Sequence, residues 1–552
     1  MRSDVLDKKR SAVYLSVWLL TVPLVATAKT DAPIATTPLQ QILGRLPGSC
    51  QTTPPGLDEQ ARQRLQAFYL PFAFTPLWSD PRSLNNLVEE LEKLADDGLD
   101  AAFYQPATLR RMSQNGGADP RWLACLDILA SHAYLQALQH LVHGRLPQAQ
   151  LEPMWRAQHT DEALTVQTLA LLGVDDVHSA FERARPSLDH YQALRAAYVR
   201  MRDSPLPPWT PVPPGPLLRP GMQDSRVPAL RSSLIQAGYL TSSVLELEKG
   251  GEGLRYQYAL VDAVEDFQRQ HALKVDGIVG PGTLDALNIS PASRLDQLRV
   301  NLERWRWYAR DMESQLLLVD IAGGQLSYYR NRMPVWQTRV QVGRAERATP
   351  QLKSMIERLT LNPTWTVPPT ILREDKLPEI RRDIGFLARH QMRVFDQYGN
   401  RLNPYHVDWN NVRGLRLRQD AGPSNPLGKV AVRFANPFAV YLHDTPSQQL
   451  FSEAQRTFSS GCVRVEGALT LVDLLLSEGE HERVTALLET GKTHEYRLNR
   501  PLPILMAYWT AEVDASGRVL YRPDIYGRDP ALRAALNAAS PREQAGTHLP
   551  QR

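Results

Sequence analysis

Between Ser204 and Pro220 the chain reads Ser-Pro-Leu-Pro-Pro-Trp-Thr-Pro-Val-Pro-Pro-Gly-Pro-Leu-Leu-Arg-Pro, eight prolines in seventeen residues. Each ring fixes φ and removes an amide donor, so no helix crosses this stretch and extended polyproline geometry is favoured. The run predicts a linker over 204–221 with separate folded units on either side. Length agrees: 552 residues exceed what one hydrophobic core supports, roughly 250 to 300 residues.

The N-terminus opens with Lys8-Lys9-Arg10, continues in an apolar run from Ala12 to Val25, and then reads Ala26-Thr27-Ala28. That three-part pattern predicts a secretion signal over 1–28, cleaved on export. An uncleaved membrane anchor is the alternative, disfavoured because the run falls short of the roughly 20 apolar residues a spanning helix needs. Once Arg2, Lys8, Lys9, Arg10, Asp4 and Asp7 leave with the signal, the net charge falls from +4 to +2. No concentrated basic face remains, which sets nucleic-acid binding aside. Three cysteines, Cys50, Cys125 and Cys462, imply at least one thiol without an intrachain partner. Spacing alone does not decide whether Cys50 and Cys125 pair.

Over 29–203 apolar residues recur at helical spacing, as in Leu84, Leu87, Leu91 and Leu94 or Leu135, Leu138, Leu141 and Val142, which predicts a helical scaffold domain. His140 and His143 lack an acidic or thiol partner at ligand spacing and read as ordinary helix surface. Residues 222–290 read as a small three-helix module, with turns at Asp276-Gly277 and Gly280 and Thr283 as a cap. From Leu316 the period drops to two. Leu316-Leu-Leu-Val-Asp, Gln325-Leu-Ser-Tyr-Tyr-Arg, Trp336-Gln-Thr-Arg-Val-Gln-Val and Val430-Ala-Val-Arg-Phe predict a mainly β domain over 300–530. Within it, the charged and partly helical stretch at about 368–420 reads as a mobile lid over a site. Residues 531–552 read as a tail, and the fold class is multidomain α+β.

The chemistry gathers in Val440-Tyr-Leu-His-Asp-Thr-Pro and Thr457-Phe-Ser-Ser-Gly-Cys-Val-Arg-Val. An alternating strand delivers Tyr441 and His443 to one face. Cys462 sits in a glycine-containing turn just before the helix-like run from Gly467, where helix amides, His443 and Arg464 would acidify the thiol. A cysteine nucleophile needs such acidification, a base to carry its proton and amides to hold an oxyanion. These roles fall to Cys462, to His443, and to the amides of Gly461 and Cys462. A buried, inert cysteine is the competing reading.

These residues resemble the L,D-transpeptidase (YkuD-type) catalytic domain, whose signature is a strand His followed by Ser-His-Gly-Cys and Ile/Val-Arg. Here Ser459-Ser460-Gly461-Cys462-Val463-Arg464 carries Ser460 in place of the second His, which leaves at most the backbone amide of Ser460 as a donor, and Asp444 stands where Gly often follows the strand His. Phe267-Gln268, Asp276-Gly277 and Thr283-Leu284 resemble the peptidoglycan-binding type 1 domain. Asn301-Leu-Glu-Arg-Trp-Arg-Trp, Asn362-Pro-Thr-Trp-Thr-Val-Pro-Pro, Leu77-Trp78-Ser79-Asp80 and Asp524-Ile-Tyr-Gly-Arg-Asp extend the likeness to the large YcbB-type branch. The resemblance implies a periplasmic enzyme that joins peptidoglycan tetrapeptide stems, donor and acceptor, through a Cys462 thioester into 3,3 cross-links. It implies no cofactor and no metal, inhibition by carbapenems, cell-wall synthases as candidate partners, and membrane contact only through an uncleaved signal. It further implies that Trp365 and Tyr441 line the donor groove, that Arg464 binds a stem carboxylate or braces the cysteine turn, and that Ser459 and Thr445 orient His443. A carboxypeptidase trimming tetrapeptides and a non-catalytic wall-binding scaffold are the alternatives.

Overall fold

The structure is a computed structural model that describes residues 37–46, 50, 57–115, 119–157, 163–205, 209–241 and 253–538. The expected signal at 1–28 lies outside the described residues, as does most of the expected tail.

The N-terminal region is helical. Asp119 caps and Pro120 opens the 24-residue helix Pro120–His143, around which shorter helices pack their leucine faces; Leu84, Leu87, Leu91 and Leu94 are all buried. The buried Asp127 carboxylate accepts from the Tyr69 hydroxyl at 2.6 Å and the Trp78 amide at 2.7 Å. Cys50 and Cys125 form a disulfide that fastens the segment before the first long helices to this central one. His140 departs from the surface reading: its Nδ1 bonds the Tyr104 hydroxyl at 2.8 Å, and burial pushes its pKa down to about 3.

In the small module, helices Val227–Gln236, Ala259–Gln270 and Pro281–Leu287 close over a core that includes Leu230, Val264 and Phe267. Buried Gln268 is its polar hub. Its Oε1 accepts from the Asp276 and Gly277 amides, and its Nε2 donates to the Ile278 carbonyl and the Thr283 hydroxyl. That network gives Gln268, Asp276-Gly277 and Thr283 one shared structural role. Thr283 belongs to it and is not the helix cap, a position held by Gly280.

Strands β1 Trp155–Arg156, β2 Leu316–Asp320, β3 Gln325–Arg330, β4 Met333–Gly343 and β5 Leu352–Leu361 are followed by β6 Trp365–Thr366, β7 Met392–Phe395, β8 Arg401–Leu402 and β9 Arg416–Gln419. Then come β10 Val430–Phe434, β11 Leu442–His443, β12 Thr457–Ser459, β13 Val463–Val465 and β14 His494–Ala507. The main sheet runs β1-β5-β10-β11-β13-β4-β3-β2-β14, and β14 also pairs with β5, so the sheet closes on itself. Its inner face is aliphatic, built from residues such as Leu317, Val340, Leu359, Leu442 and Val463.

Neighbouring strands β5 and β10 pair antiparallel with Leu361 opposite Val430, and the whole stretch 362–429 leaves and re-enters the barrel at that pair. The Asn362 amide donates to the Lys429 carbonyl at 2.8 Å, and buried Asn425 ties the two stems by donating to the Pro363 carbonyl at 3.0 Å. Helices were expected here; a four-stranded sheet, β6-β9-β7-β8, accompanies them. It has an apolar core of its own around Val394, Leu417 and Leu387, because a stretch this long buries apolar surface only by folding onto itself.

The helix Pro291–Tyr308 is buried along most of its length and joins the scaffold to the barrel, so the Asn301-to-Trp307 motif lies inside it. Arg304, fully buried, binds Glu152 of the scaffold at 2.7 Å and Asp529 at 2.7 Å. Asp529 begins the helix Asp529–Ala538, whose Leu532 and Leu536 are buried in the core shared with Trp305 and Trp509. The expected tail at 531 is therefore a packed helix at its start. Removing one partner of a buried ion pair strands the others without compensation, at a cost of about 3–5 kcal/mol. Arg304→Ala is accordingly expected to lower stability by about that amount, read from denaturant unfolding of the full chain; an unchanged midpoint would overturn the joining role.

Candidate active site

Register fixes the site. In the parallel pair β11–β13, Leu442 stands opposite Val463 and His443 opposite Arg464, while the Val463 amide donates to the Tyr441 carbonyl at 3.1 Å. Leu442 and Val463 point into the core. Alternation then sends Tyr441, His443, Cys462 and Arg464 to the opposite face. The flanking strands extend the rows: Ala431 of β10 pairs with His443, and Gln341 of β4 pairs with Arg464. Arg433 stacks on Tyr441, its guanidinium carbon 3.9 Å from the ring centre. Small Ala431 leaves space for the imidazole beside it.

His443 is 5% exposed. Its Nδ1 donates to the Asp444 carbonyl at 2.5 Å, which leaves the lone pair on Nε2. Burial, then the positive charges of Arg464 and Arg433, push its pKa down to about 3 against the support of the Asp444 and Pro426 carbonyls. Neutral His443 is thus a proton acceptor at physiological pH. The Asp444 side chain takes no part in orienting the ring; its carboxylate accepts from the Lys429 amide at 2.8 Å, in room left by Gly428, where a Cβ would fall 2.2 Å from that carboxylate oxygen.

Cys462 is half-buried and unpaired among the described cysteines. Strand β13 intervenes between it and the helix Ala468–Leu475, so the expected helix-end acidification does not apply. Burial pushes the thiol up, while the Tyr441 backbone and hydroxyl and the charges of Arg433 and Arg464 pull it down; burial prevails. The resting pair is therefore thiol and neutral imidazole. Among the described residues neither Arg433 nor Arg464 has a carboxylate partner. Arg464 donates from Nη1 to Gln341 at 3.0 Å, and its buried Nε has no partner. The floor beneath the thiol is cationic and suits an anion formed during reaction.

The turn carrying the thiol is braced from below. Ser459, 2% exposed, donates to the Cys462 carbonyl at 2.5 Å and accepts from the Gly461 amide at 3.1 Å. The Gly461 amide is thereby engaged, which removes it from the expected oxyanion hole and makes Ser459 a brace for the turn and not for His443. Gly461 holds φ at +109°, a conformation a side chain would strain. Its carbonyl accepts from the Thr349 hydroxyl at 3.0 Å. Thr445 also serves local structure, its hydroxyl accepting from the Ser447 amide at 3.2 Å. Trp365 is packed in the core of the insertion, where Tyr441 touches the same cluster, so Trp365 is buried packing. Ser460 is exposed, and its hydroxyl accepts from Arg347 at 2.9 Å.

Sequence reasoning missed Arg433, Gln341, Thr349 and Arg347. Arg433 alone left a signal, a charge at an alternating position in Val430-Ala-Val-Arg-Phe; the others depend on which strands become neighbours. A cleft of about 700 Å³ lies elsewhere, between His271 and Asn288 of the module and Tyr521 and Asp524.

Residues 314–490 match the family described as "L,D-transpeptidase catalytic domain", residues 223–287 "Putative peptidoglycan binding domain", and residues 63–197 "Scaffold domain". The chain carries these domains, and Cys462, His443, Tyr441 and Arg464 fall within the first. Over 224 residues it is 34% identical to the "Putative L,D-transpeptidase" of Haemophilus influenzae, a match covering 40% of this chain and 45% of that relative. The matched region thus spans less than half the length of this curated relative. Among solved structures, the chain is similar to an L,D-transpeptidase from Mycobacterium smegmatis, at 12% identity and a TM-score of 0.16 over 35% of this chain and 58% of that one. It is likewise similar to the L,D-transpeptidase from Xylanimonas cellulosilytica, at 16% identity and a TM-score of 0.16 over 53% and 99%.

Because burial outweighs the groups that favour the thiolate, alkylation of Cys462 by iodoacetamide is expected to rise with pH about a midpoint above the ordinary thiol value of about 8.5. Tyr441→Phe and Arg464→Gln remove groups that favour the anion, so each is expected to move that midpoint higher. A native midpoint below about 7, followed by intact mass, would contradict the neutral resting pair.

Proposed function

We propose that this protein is a cysteine acyltransferase that cross-links peptidoglycan stem peptides. The observation that carries the reading is the single face shared by Tyr441, His443, Cys462 and Arg464 on paired β11 and β13, inside the segment that matches the L,D-transpeptidase catalytic domain.

In the proposed cycle, the Cys462 sulfur attacks the carbonyl carbon of the third residue of a donor tetrapeptide while Nε2 of His443 takes the thiol proton. The tetrahedral oxyanion is met by the Cys462 amide, with Ser460 as a further amide donor, over the cationic floor of Arg433 and Arg464. His443 returns the proton to the nitrogen of terminal D-alanine, the peptide bond breaks, and a thioester remains on Cys462. The side-chain amine of a diaminopimelate-type residue on an acceptor stem then attacks the thioester. His443 takes the amine proton and restores it to the departing sulfur, and a 3,3 cross-link is released. The bond energy comes from the donor peptide. The same attack on a β-lactam carbonyl makes carbapenems acylating inhibitors.

The peptidoglycan-binding domain would hold the enzyme on its polymeric substrate. Export to the periplasm is supported by the Cys50–Cys125 disulfide, since such bonds persist in oxidising compartments, and by the secretion pattern of residues 1–28.

Intact-protein mass spectrometry with a carbapenem, and product analysis with disaccharide tetrapeptide, test the reading. A Cys462 adduct and a 3,3-linked dimer are expected from the native chain, with neither from Cys462→Ala and a loss of at least a hundredfold in dimer formation from His443→Ala, the scale of a missing general base. Tripeptide without dimer would replace cross-linking by carboxypeptidase activity. Neither adduct nor turnover would leave a wall-binding scaffold.

A further inference from the structure

Beside the thiol turn stands an arginine whose partners come from the insertion. Arg347 donates to both oxygens of Asp375, at 2.7 and 3.0 Å, to Glu374, and to the Ser460 hydroxyl at 2.9 Å. Arg344 approaches Asp375 at 3.5 Å. Glu374 and Asp375 lie on Leu372–Lys376, a single π-helical turn of the insertion, a distortion that recurs at functional sites.

The two sides of this contact are anchored differently. The main chain of the two arginines belongs to the barrel: the Arg344 amide donates to the Ser459 carbonyl at 3.1 Å, and Thr349 donates to the Gly461 carbonyl at 3.0 Å. The Arg347 main chain is therefore held beside the Cys462 turn, and its guanidinium reaches Ser460 of that turn. Ser460, which it touches, is two residues from Cys462, a separation of at most about 7 Å along the chain. The two carboxylates ride instead on an insertion joined to the barrel through stems at 362 and 429. Half-exposed Glu374 and Asp375 do not need these arginines for solvation. The arginines' fork matches any carboxylate bidentately.

We propose that Arg347, assisted by Arg344, is the subsite for a stem-peptide carboxylate, and that Glu374 and Asp375 occupy it as internal surrogates when no substrate is bound. The inference rests on the acyl-transfer reading, which puts a substrate carboxylate near the thiol. The carboxylate of a terminal D-alanine is three bonds from the carbonyl that Cys462 attacks. That of a diaminopimelate-type side chain is the other source of the same chemistry. Exchanging one carboxylate for another on Arg347 costs little net electrostatic energy, so substrate entry and release of the insertion from the turn become one event, biased by differential affinity.

The test compares two alkylating probes on the full chain, iodoacetate and its neutral counterpart iodoacetamide, with Cys462 modification followed by intact mass. Glu374→Gln/Asp375→Asn empties the subsite without disturbing the barrel and is expected to raise the iodoacetate-to-iodoacetamide rate ratio about tenfold, the worth of one charge-assisted bond. Arg347→Gln is expected to lower the ratio by a similar factor, and Arg347→Lys to lower it less. Ratios unchanged in the double variant and in either arginine variant, or both reagents slowed in parallel, would make Arg347 a static brace of the turn and overturn the subsite. With tetrapeptide donors, KM of Arg347→Gln is expected to rise for the free acid and to match native KM when the recognised carboxylate is amidated. Separate amidation of the D-alanine and of the diaminopimelate-type residue identifies the source; a KM rise indifferent to both amidations would also overturn the proposal. Absence of turnover by the native chain would refute the acyl-transfer reading alone, because the alkylation ratios decide the subsite without it.

Discussion

Two residues of β11 lie parallel to three of β13, and that register carries the reactive groups of the protein. It aligns Leu442 with Val463 in the core, and burying those two side chains forces Tyr441, His443, Cys462 and Arg464 together on the other face. A slip of one residue would send the four reactive side chains into the barrel and two aliphatic ones outward, at a cost of several kcal/mol. Geometry at the site is thus secured by aliphatic packing on the reverse side of the same strands.

So short a pair holds only inside a larger frame. The barrel closes because β14 pairs with β2 and with β5, leaving β11 between β10 and β13 and paired on both sides. The helix Pro291–Tyr308 sets this barrel against the scaffold through Arg304 and its two carboxylates. The insertion emerges where β5 and β10 already pair, so 68 residues, 362–429, are accommodated without breaking the sheet. Loop closure at such a pair costs little more for a long excursion than for a short one.

Strands, leucine faces and the turn around the thiol were legible because each is encoded locally: period two from Leu316, period three to four at Leu84 to Leu94, a Ser-Gly-Cys turn. The proline run at 204–220 was legible only in part as a linker, since Val212 and Leu218 are buried in the core of the small module and Leu218 pairs with Val279. What stayed hidden depends on partners far along the chain. Ser459 looked like support for the base, but its hydroxyl is spent within its own turn on Gly461 and Cys462. Trp365 looked like a groove aromatic because nothing local told that 362–429 builds a core of its own. The thiol looked acidified because the helix-like run from Gly467 suggested a helix end, whereas Val463–Val465 is spent on pairing with β4 and β11 first. Arg347 and Thr349 gave no signal, since their link to the thiol turn arises only when the end of β4 packs under residues 459–461.

Charge around the thiol is divided between two bodies. The barrel supplies Arg433 and Arg464, without carboxylate partners among the described residues, together with Arg344 and Arg347; the insertion supplies Glu374 and Asp375. A half-buried thiol beside a neutral imidazole carries no net charge, so the resting site holds uncompensated positive charge next to Cys462. Uncompensated charge in a half-buried site is costly to the folded state and is repaid when an anion develops there. Under the proposed function, the oxyanion of acyl transfer and the carboxylate of a stem peptide are such anions. A carboxylate of the insertion set against the outer arginines lowers that cost, while the inner pair stays open. Placing neutralising groups on the insertion, and unneutralised ones on the barrel, lets one sheet face be stable enough to fold while its inner arginines stay open to an anion.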